Sequence, residues 1–505
     1  MAALHDLLMG FSVALAPGNL LYAFLGSSLG TLIGVLPGIG PAAGTALLIP
    51  LTARLDPTGA IIMLTAIFYG TQYGGTITSI LLNVPGEAAS AITCIDGHKM
   101  ALKGRAGAAL SIAAIGSFIG GLFATIALVF LAGPLTKVAL EFGPVEFFAL
   151  MVLGISLMMG LAGKSMVKAL MMGILGLLLA MVGMDPVRGA PRFTFGRMEL
   201  MDGLNFVPVI MGLFGLSDIL ENAEESLDST KSAKVGSLIP SREEVKDSVG
   251  PIARGSLMGT ILGLIPGMTG SMASFLSYSM EKKISKHPER FGEGAVEGVA
   301  GPETANNAHA NGALIPLFTL GIPASPTVAV LMGAFLMNGL IPGPFLFKEN
   351  PQLVWGVIAS FFIGNVILLI LNLPLIGVWV KMLKIPYSIL FAVILAFMVI
   401  GAYGVENSVF DVFIMLLFGV LGYVFKKFDF PMAPMILTLI LGPTMERSLR
   451  RSLEMSQGDF SILFASPIAA GLLTASLIVL ITSALRVFPG TRKKVPSGSG
   501  SDRRK

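Results

Sequence analysis

Long apolar stretches constrain the fold of this chain more than any other feature. They recur from Leu20 to Arg486, and each is about 15 to 27 residues long, near the length at which a helix crosses a hydrocarbon core of roughly 30 Å. Charged residues make up 13% of the chain, roughly half their usual share in a soluble domain. The sequence therefore predicts an all-α polytopic membrane protein.

The charge and the cysteine content exclude several other classes of protein. The formal net charge is +4, but most Lys and Arg residues lie in short loops or in the tail that ends at Lys505, which is the positive-inside pattern and not a nucleic-acid-binding face. The single cysteine, Cys94, excludes an intrachain disulfide and a cysteine-based metal cluster. The N-terminal residues MAALHDLLMG lack the basic region of a signal peptide, so we expect the first segments to be retained.

An internal duplication organises the chain. GTLIGVLPGIGPAAGTALLIP from Gly30 resembles GTILGLIPGMTGSMASFLSY from Gly259, and LNVPGEAASA from Leu82 resembles LGIPASPTVA from Leu320. Two later pairs follow in the same order, from Gly143 with Ile385 and from Phe206 with Met432. The predicted organisation is membrane repeat 1 (1–220), a polar cytoplasmic linker (221–254), membrane repeat 2 (255–458), a final transmembrane helix (459–490) and a basic disordered tail (491–505).

The charges of equivalent loops are opposed in the two halves. The loop after the second-half motif carries Lys282, Lys283, Lys286 and Arg290, whereas its counterpart carries only Arg54 with Asp56. Later loops show the reverse bias. Equivalent loops on opposite sides of the membrane predict two inverted-topology repeats, each with an odd number of crossings.

A re-entrant hairpin followed by about five crossings in each half satisfies this requirement. In the first half the predicted crossings are 57–95, 106–132, 146–162, 164–183 and 204–221. One loop conflicts with the prediction, because Arg188, Arg192 and Arg197 should then lie outside the cell.

Four Pro/Gly interruptions lie inside otherwise apolar segments. They begin at Pro37, Asn83, Pro266 and Gly321. Proline removes a backbone donor and glycine tolerates positive φ, so each interruption predicts a broken helix, the alternative being a kink in a continuous helix. Their recurrence at matching places in the two halves favours the broken helices that form transporter sites.

Broken helices provide groups that bind both an anion and a cation. Each restart offers free N–H groups and the positive end of a helix dipole to a carboxylate. Pro41 suits the first turn of one restart, and Thr269 or Ser271 is a candidate N-cap of another. The opposing carbonyl groups are candidate ligands for Na⁺, near Asn306 and Asn307.

A polar segment from Gly301 to Gly312 leads into the fourth interruption. Its asparagines provide donors and acceptors for a carboxylate or an ion without added charge, and the alternative is a surface loop. Glu303 is a proton or cation site, or else an interfacial acid. His309 alone favours a structural role, and the Tyr69–Thr76 segment occupies the corresponding place in the first half, where close helix contact explains most of its glycines.

The predicted substrate-binding or ion-binding residues combine the four interruptions with this polar segment. They are Pro37, Gly38, Gly40, Asn83, Pro85, Gly86, Pro266, Gly267, Thr269, Ser271, Glu303, Asn306, Asn307, Asn311, Gly321, Pro323 and Ser325. We expect no catalytic residues and no cofactor, because the chain has no Walker motif, no H-E-x-x-H motif and no defensible pair of nucleophile and base. A channel built from re-entrant hairpins is the main alternative to a transporter.

These stretches together resemble the large membrane subunit of the tripartite tricarboxylate transporter family, the TctA family. The resemblance is carried by GTLIGVLPGIGP from Gly30, YGGTITSILLNVPGE from Tyr73, GTILGLIPGMTGS from Gly259 and GPETANNAHANGALIPLFTLGIPASPTVAVL from Gly301. It extends from about Leu20 to Leu485. It implies a bacterial inner-membrane symporter that works with a small four-helix membrane subunit and a periplasmic solute-binding protein, and takes up citrate or a related carboxylate with Na⁺ or H⁺.

Overall fold

The computed structural model describes residues 2–36, 39–161, 165–185, 188–224, 235–383 and 387–487. Most of these residues are helical, and a two-stranded hairpin pairs Gly183–Met184 with Pro191–Arg192. The α-helices are α1 (Ala2–Ala14), α2 (Pro17–Val35), α3 (Pro41–Thr52), α4 (Pro57–Leu82), α5 (Ala91–Leu102), α6 (Ala106–Ala139), α7 (Pro144–Leu161), α8 (Met166–Ala180), α9 (Phe206–Ile210), α10 (Ser217–Glu224), α11 (Arg242–Gly263), α12 (Gly270–Ile284), α13 (Glu297–Gly312), α14 (Leu314–Leu320), α15 (Pro326–Met337), α16 (Pro344–Glu349), α17 (Pro351–Asn372), α18 (Ile376–Met382), α19 (Tyr387–Glu406), α20 (Val409–Lys427), α21 (Met432–Met455), α22 (Ile462–Ala465) and α23 (Pro467–Val487).

Six helices of the described residues are long and apolar enough to cross a membrane. They are Pro17–Val35, Ala106–Ala139, Phe206–Ala223, Pro351–Asn372, Val409–Lys427 and Pro467–Ala484, the third of which joins α9 and α10 through a π-helical segment. Shorter apolar helices, such as Pro144–Gly160 and Phe391–Glu406, accompany them. The prediction of a multi-pass helical membrane protein is therefore confirmed.

Glycine packing joins the first helices of each half. A Cβ atom added at Gly30 in α2 would lie 2.4 Å from the Ile67 carbonyl oxygen of α4, and one at Gly259 in α11 would lie 2.2 Å from the Ala305 carbonyl oxygen of α13. Small residues allow helix backbones to approach this closely where apolar burial alone provides little driving force. Gly30 and Gly259 are equivalent in the duplicated sequence, so the same contact forms in both halves.

Two central helices, α4 and α13, lie at the middle of the protein. Every residue of α4 from Gly59 to Leu81 is buried, and so is every residue of α13 from Gly298 to Gly312. The alternative interpretation of the polar segment as a surface loop is therefore wrong. Its polar side chains form hydrogen bonds with neighbouring segments, with Asn311 Oδ1 as an exception among the described residues, so the segment packs inside the bundle despite its low hydrophobicity.

The predicted crossing at 57–95 is also not one helix. α4 ends at Leu82 and α5 begins at Ala91, with the second interruption between them.

The predicted linker is only partly extended chain. α11 begins at Arg242, with the Ser241 side chain as its N-cap, and the Ser111 hydroxyl of α6 donates to the Leu238 carbonyl. Residues 225–234 and the predicted tail 491–505 lie outside the described residues.

The two halves contact each other reciprocally. α20 packs against α9 and α10 and the π-helical segment between them, whereas α21 packs against α8. By the order of the duplication α20 corresponds to α8, and α21 corresponds to α9 and α10. Each half thus provides its penultimate helix to the last helix of the other half.

The arginine loop that conflicts with the charge rule is neutralised locally. Arg192 donates to Glu446 on α21 at 2.8 Å, and Arg450 donates to Asp185 at 3.1 Å. These ion pairs hold the arginine loop against α21. The conflict with the positive-inside rule stays, because that rule counts Lys and Arg residues and not the net charge.

Candidate transport site

At three of the four interruptions one helix ends and another begins, and the residues there are ones that favour helix caps. Asn83 ends α4 at φ 59° and Gly321 ends α14 at φ 71°, and both are in the left-handed region that permits a C-terminal cap. Thr269 caps α12 and Ser325 caps α15, each accepting from a backbone N–H three residues later. At the first interruption α2 ends at Val35 and α3 begins at Pro41, but Pro37 and Gly38 lie outside the described residues.

The third and fourth interruptions are hydrogen-bonded to each other. The Gly267 N–H donates to the Ala324 carbonyl at 2.9 Å. The His309 ring lies with Nε2 3.0 Å from the Met268 carbonyl, and because a carbonyl only accepts, this nitrogen carries the proton. His309 is therefore structural here, holding the third interruption against α13.

Glu303 lies at the contact of three helices. The Thr76 hydroxyl of α4 donates to its Oε2 at 2.6 Å, and the Thr93 hydroxyl of α5 donates to its Oε1. Glu303 is 1% exposed. The alternative interpretation of this residue as an interfacial acid does not fit a carboxyl group enclosed between helices.

Asn306 joins α13 to the second and third interruptions. Its Nδ2 donates to Glu87 Oε1 at 2.7 Å, and the amide of Gln72 is placed to donate to Glu87 Oε2, also at 2.7 Å. A Cβ atom added at Gly270, the first residue of α12, would lie 2.3 Å from Asn306 Oδ1. The start of α12 thus lies directly beside this asparagine, where its free N–H groups are available to an anion.

The other two predicted asparagines attach α13 to α6. Asn307 donates to the Ser117 hydroxyl at 2.7 Å, and Asn311 donates to the Gly121 carbonyl at 3.0 Å. Asn307 is one turn from Glu303, whereas Asn311 is two turns away and belongs to the α6 interface. The structure therefore brings Glu303, Asn306 and Asn307 together and places Asn311 outside their immediate contacts.

We define the central cluster by six residues: Gln72, Thr76, Glu87, Thr93, Glu303 and Asn306. Several predicted site residues lie away from this cluster. Asn83 and Pro85 are exposed, whereas Gly86 is buried, and a Cβ atom there would lie 2.4 Å from the Gly34 carbonyl oxygen of α2 and 2.5 Å from Gly75 Cα of α4. Pro323 and Ser325 are buried at the fourth interruption, which reaches the cluster only through its hydrogen bond to Gly267. Pro266 and Ser271 are half-buried beside Thr269.

No lysine or arginine forms an ion pair with Glu87 or Glu303 among the described residues. The described residues also contain no group of three His, Cys, Asp or Glu side chains that could hold a metal ion. A sodium ion near Asn306 and Asn307 would therefore depend on amide, hydroxyl and carbonyl oxygens together with the carboxyl groups of Glu87 and Glu303.

Sequence reasoning missed four residues of the central cluster. It also missed one residue of α10 that lies beside the first interruption. Gln72, Thr76, Glu87 and Thr93 come from the first half and meet α13 only in three dimensions. Asp218 of α10 lies with Oδ2 4.0 Å from the Cβ position of Gly40 and pairs with Lys426. The available signal was that Gln72 and Thr76 are one turn apart, on one face of the same helix.

Comparison with known proteins gives the family of this chain. Residues 20–437 match the tripartite tricarboxylate transporter TctA family. The chain belongs to this family. The chain is also 49% identical over 496 residues, which is 98% of this chain and 99% of the relative, to a protein of Agrobacterium vitis described as an uncharacterized 52.8 kDa protein in the TAR-I ttuC' 3'region.

A second relative covers half of this chain. It is described as an uncharacterized protein in the TAR-II ttuC' 3'region of Agrobacterium vitis, and it is 50% identical over 236 residues, or 47% of this chain and 96% of the relative. No solved structure matches this TctA family member significantly. The resemblance seen in the sequence is thus confirmed at the level of the family.

Proposed function

We propose that this chain is the large transmembrane permease subunit of a binding-protein-dependent secondary transporter that takes up tricarboxylates or related carboxylates. Membership of the TctA family supports the class. The observation that carries the proposal is the buried contact between the start of α12, Asn306 and the second interruption. Helix ends supply N–H groups for a carboxylate without a buried basic residue.

The enclosure of the central cluster favours a transporter over a channel. Glu303 and Asn306 are each 1% exposed and Glu87 is 7% exposed. A conducting channel needs a continuous path for its ion, whereas alternating access passes through states in which the site is closed. The bacterial inner membrane, the small four-helix subunit and the periplasmic binding protein belong to the same proposal and follow from the family.

We expect uptake to depend on a gradient of Na⁺ or H⁺. The subunit and its small membrane partner would be reconstituted in liposomes, and purified binding protein carrying labelled citrate would be added outside. Saturable uptake that appears only with an imposed gradient supports the proposal. Uptake that persists without either gradient or that requires ATP contradicts it, and flux that never saturates indicates the channel.

The two repeats have inverted topology in this proposal. Support for the inversion comes from the opposed charges of equivalent loops. The repeat itself is supported by the reciprocal packing of the halves and by matching backbone angles at Glu87 (φ −142°, ψ 166°) and Ser325 (φ −142°, ψ 165°). These are equivalent residues of the duplicated sequence.

We expect cysteines at equivalent hairpin ends to react from opposite sides. In a Cys94→Ser background, Ala53→Cys places one exposed thiol just after α3, and Lys283→Cys places one in the last turn of α12. A membrane-impermeant reagent should label the first in intact cells and the second only after permeabilisation. Equal labelling of both in intact cells would show that the repeats are parallel.

A further inference from the structure

Two carboxyl groups are buried in the central cluster without a neutralising charge. Glu87 and Glu303 have only amide and hydroxyl partners, and neither forms an ion pair among the described residues. An ionised carboxylate in a water-excluded interior is costly unless it is paired. An acidic residue at such a place is a candidate for exchanging a proton or a cation during function.

The partners of the two carboxyl groups differ in one chemical respect. Glu87 accepts from the Asn306 amide, and the Gln72 amide is a second donor in the orientation whose nitrogen faces Glu87; an amide nitrogen can only donate. Glu303 is bonded only by the hydroxyls of Thr76 and Thr93, and a hydroxyl can either donate or accept. Glu303 can therefore keep both hydrogen bonds in its ionised and protonated states, whereas a protonated Glu87 would face two donors.

A cavity reaches the hydrogen-bond partner of Glu303. It has a volume of about 10 Å³, close to what a single water needs. Its lining includes Tyr73, Thr76, Ser117 and Asn372. Asn372 is 3% exposed, and its Oδ1 has no hydrogen-bond partner among the described residues. A buried polar atom of this kind beside a water-sized space indicates a site for a water molecule.

The other titratable groups around Glu303 have partners of their own or are neutral. On α11 and α12 the Arg254 and Glu281 side chains form an ion pair, and on α5 Asp96 accepts from three backbone N–H groups and from the Tyr278 hydroxyl. The remaining groups are Tyr73 of α4, Glu87 of the second interruption, Cys94 of α5 and His309 of α13.

We infer that Glu303 binds and releases the coupling proton of this transporter, and that water in the cavity beside Thr76 exchanges this proton with solvent. The inference rests on the proposed function. In the loading step a hydronium ion in the cavity gives a proton to Thr76 Oγ1 as the Thr76 hydroxyl passes its own proton to Glu303 Oε2. Water and a neutral carboxyl group result, and release follows the same steps in reverse.

Proton entry tests this inference in the reconstituted complex. A pH-sensitive dye inside the liposomes reports protons while labelled citrate reports uptake. Thr76→Val keeps the shape of the side chain but removes the relay hydroxyl, and it should slow citrate-coupled proton entry at least tenfold. Thr76→Ser should restore at least half of the wild-type rate. Thr65→Val is the matched control on the same helix, because the Thr65 hydroxyl bonds only to its own helix.

Glu303→Gln should abolish the dye response, and any citrate exchange that is left should not vary between pH 6 and 8. Proton entry at the wild-type rate in both Glu303→Gln and Thr76→Val overturns the inference. Wild-type uptake that follows a Na⁺ gradient without a dye response overturns the inference but leaves the transporter assignment in place. Wild-type uptake that needs no gradient overturns both.

Discussion

Gly267→Ala should reduce citrate uptake more than tenfold. Gly267 has φ 89°, a conformation that costs an L-residue roughly 1–2 kcal/mol. A Cβ atom there would also lie 2.8 Å from the Leu157 carbonyl oxygen and 3.0 Å from Met158 Cα. Because both contacts are backbone atoms of α7, the third interruption would have to move, and its hydrogen bond to Ala324 would be lost.

Gly458→Ala separates backbone strain from the contact with α7. Gly458 has φ 94°, but a Cβ atom there meets no other atom within 4 Å. We expect this variant to retain wild-type uptake. Uptake would be measured in liposomes at equal amounts of inserted protein, with thermal unfolding in detergent as the check on folding. Equal loss of uptake in both variants would show that positive φ alone, and not the position of the third interruption, explains the effect.

The broken helices were predictable because the signal is local. Proline and glycine act on the backbone of their own turn, so Pro266 with Gly267 and Pro323 with Gly321 mark helix ends without knowledge of the fold. The same reasoning predicted Thr269 or Ser271 as an N-cap, and the structure has Thr269 in that place. The duplication strengthened the prediction, because each interruption occurs in both halves. The structure agrees at one equivalent pair, since Asn83 and Gly321 adopt the same left-handed conformation.

The central cluster was only half predictable because its members come from separate helices. Glu303 and Asn306 attract attention as polar residues in a membrane protein. Glu87 looks like an ordinary acid after a proline turn, and Gln72 and Thr93 lie in apolar or mixed helices. The local sequence does not indicate that these side chains face α13, because the packing of α4 and α5 against α13 determines that contact. For the same reason Asn83, which is as polar as Asn306, was predicted in the site and lies at an exposed helix end.

Asn306→Asp should abolish uptake, with a loss of at least a hundredfold. The Asn306 amide nitrogen lies 2.7 Å from Glu87 Oε1, so the substitution replaces a donor with an acceptor that carries the same charge as its partner. Two carboxylates at this distance cannot both be ionised in a buried site. The pair would then share one negative charge, part of it on the introduced carboxyl group directly beside the start of α12, where it would repel a carboxylate substrate from the N–H groups that we propose it binds.

Asn338→Asp provides a control of the same chemistry outside the cluster. Asn338 ends α15, and its amide donates to the Ala334 carbonyl of its own helix at 2.8 Å. Its replacement should leave uptake within about twofold of wild type, since a charge at a helix C-terminus costs only about 0.3–1 kcal/mol. Uptake and binding of citrate would be measured for both variants, with Asn306→Ala as a third. Asn306→Ala leaves one oxygen of Glu87 without its donor, at a cost of about 1–3 kcal/mol, but adds no charge. If Asn306→Asp binds citrate as well as Asn306→Ala does, negative charge beside α12 does not oppose the substrate, and the anion lies elsewhere in the protein.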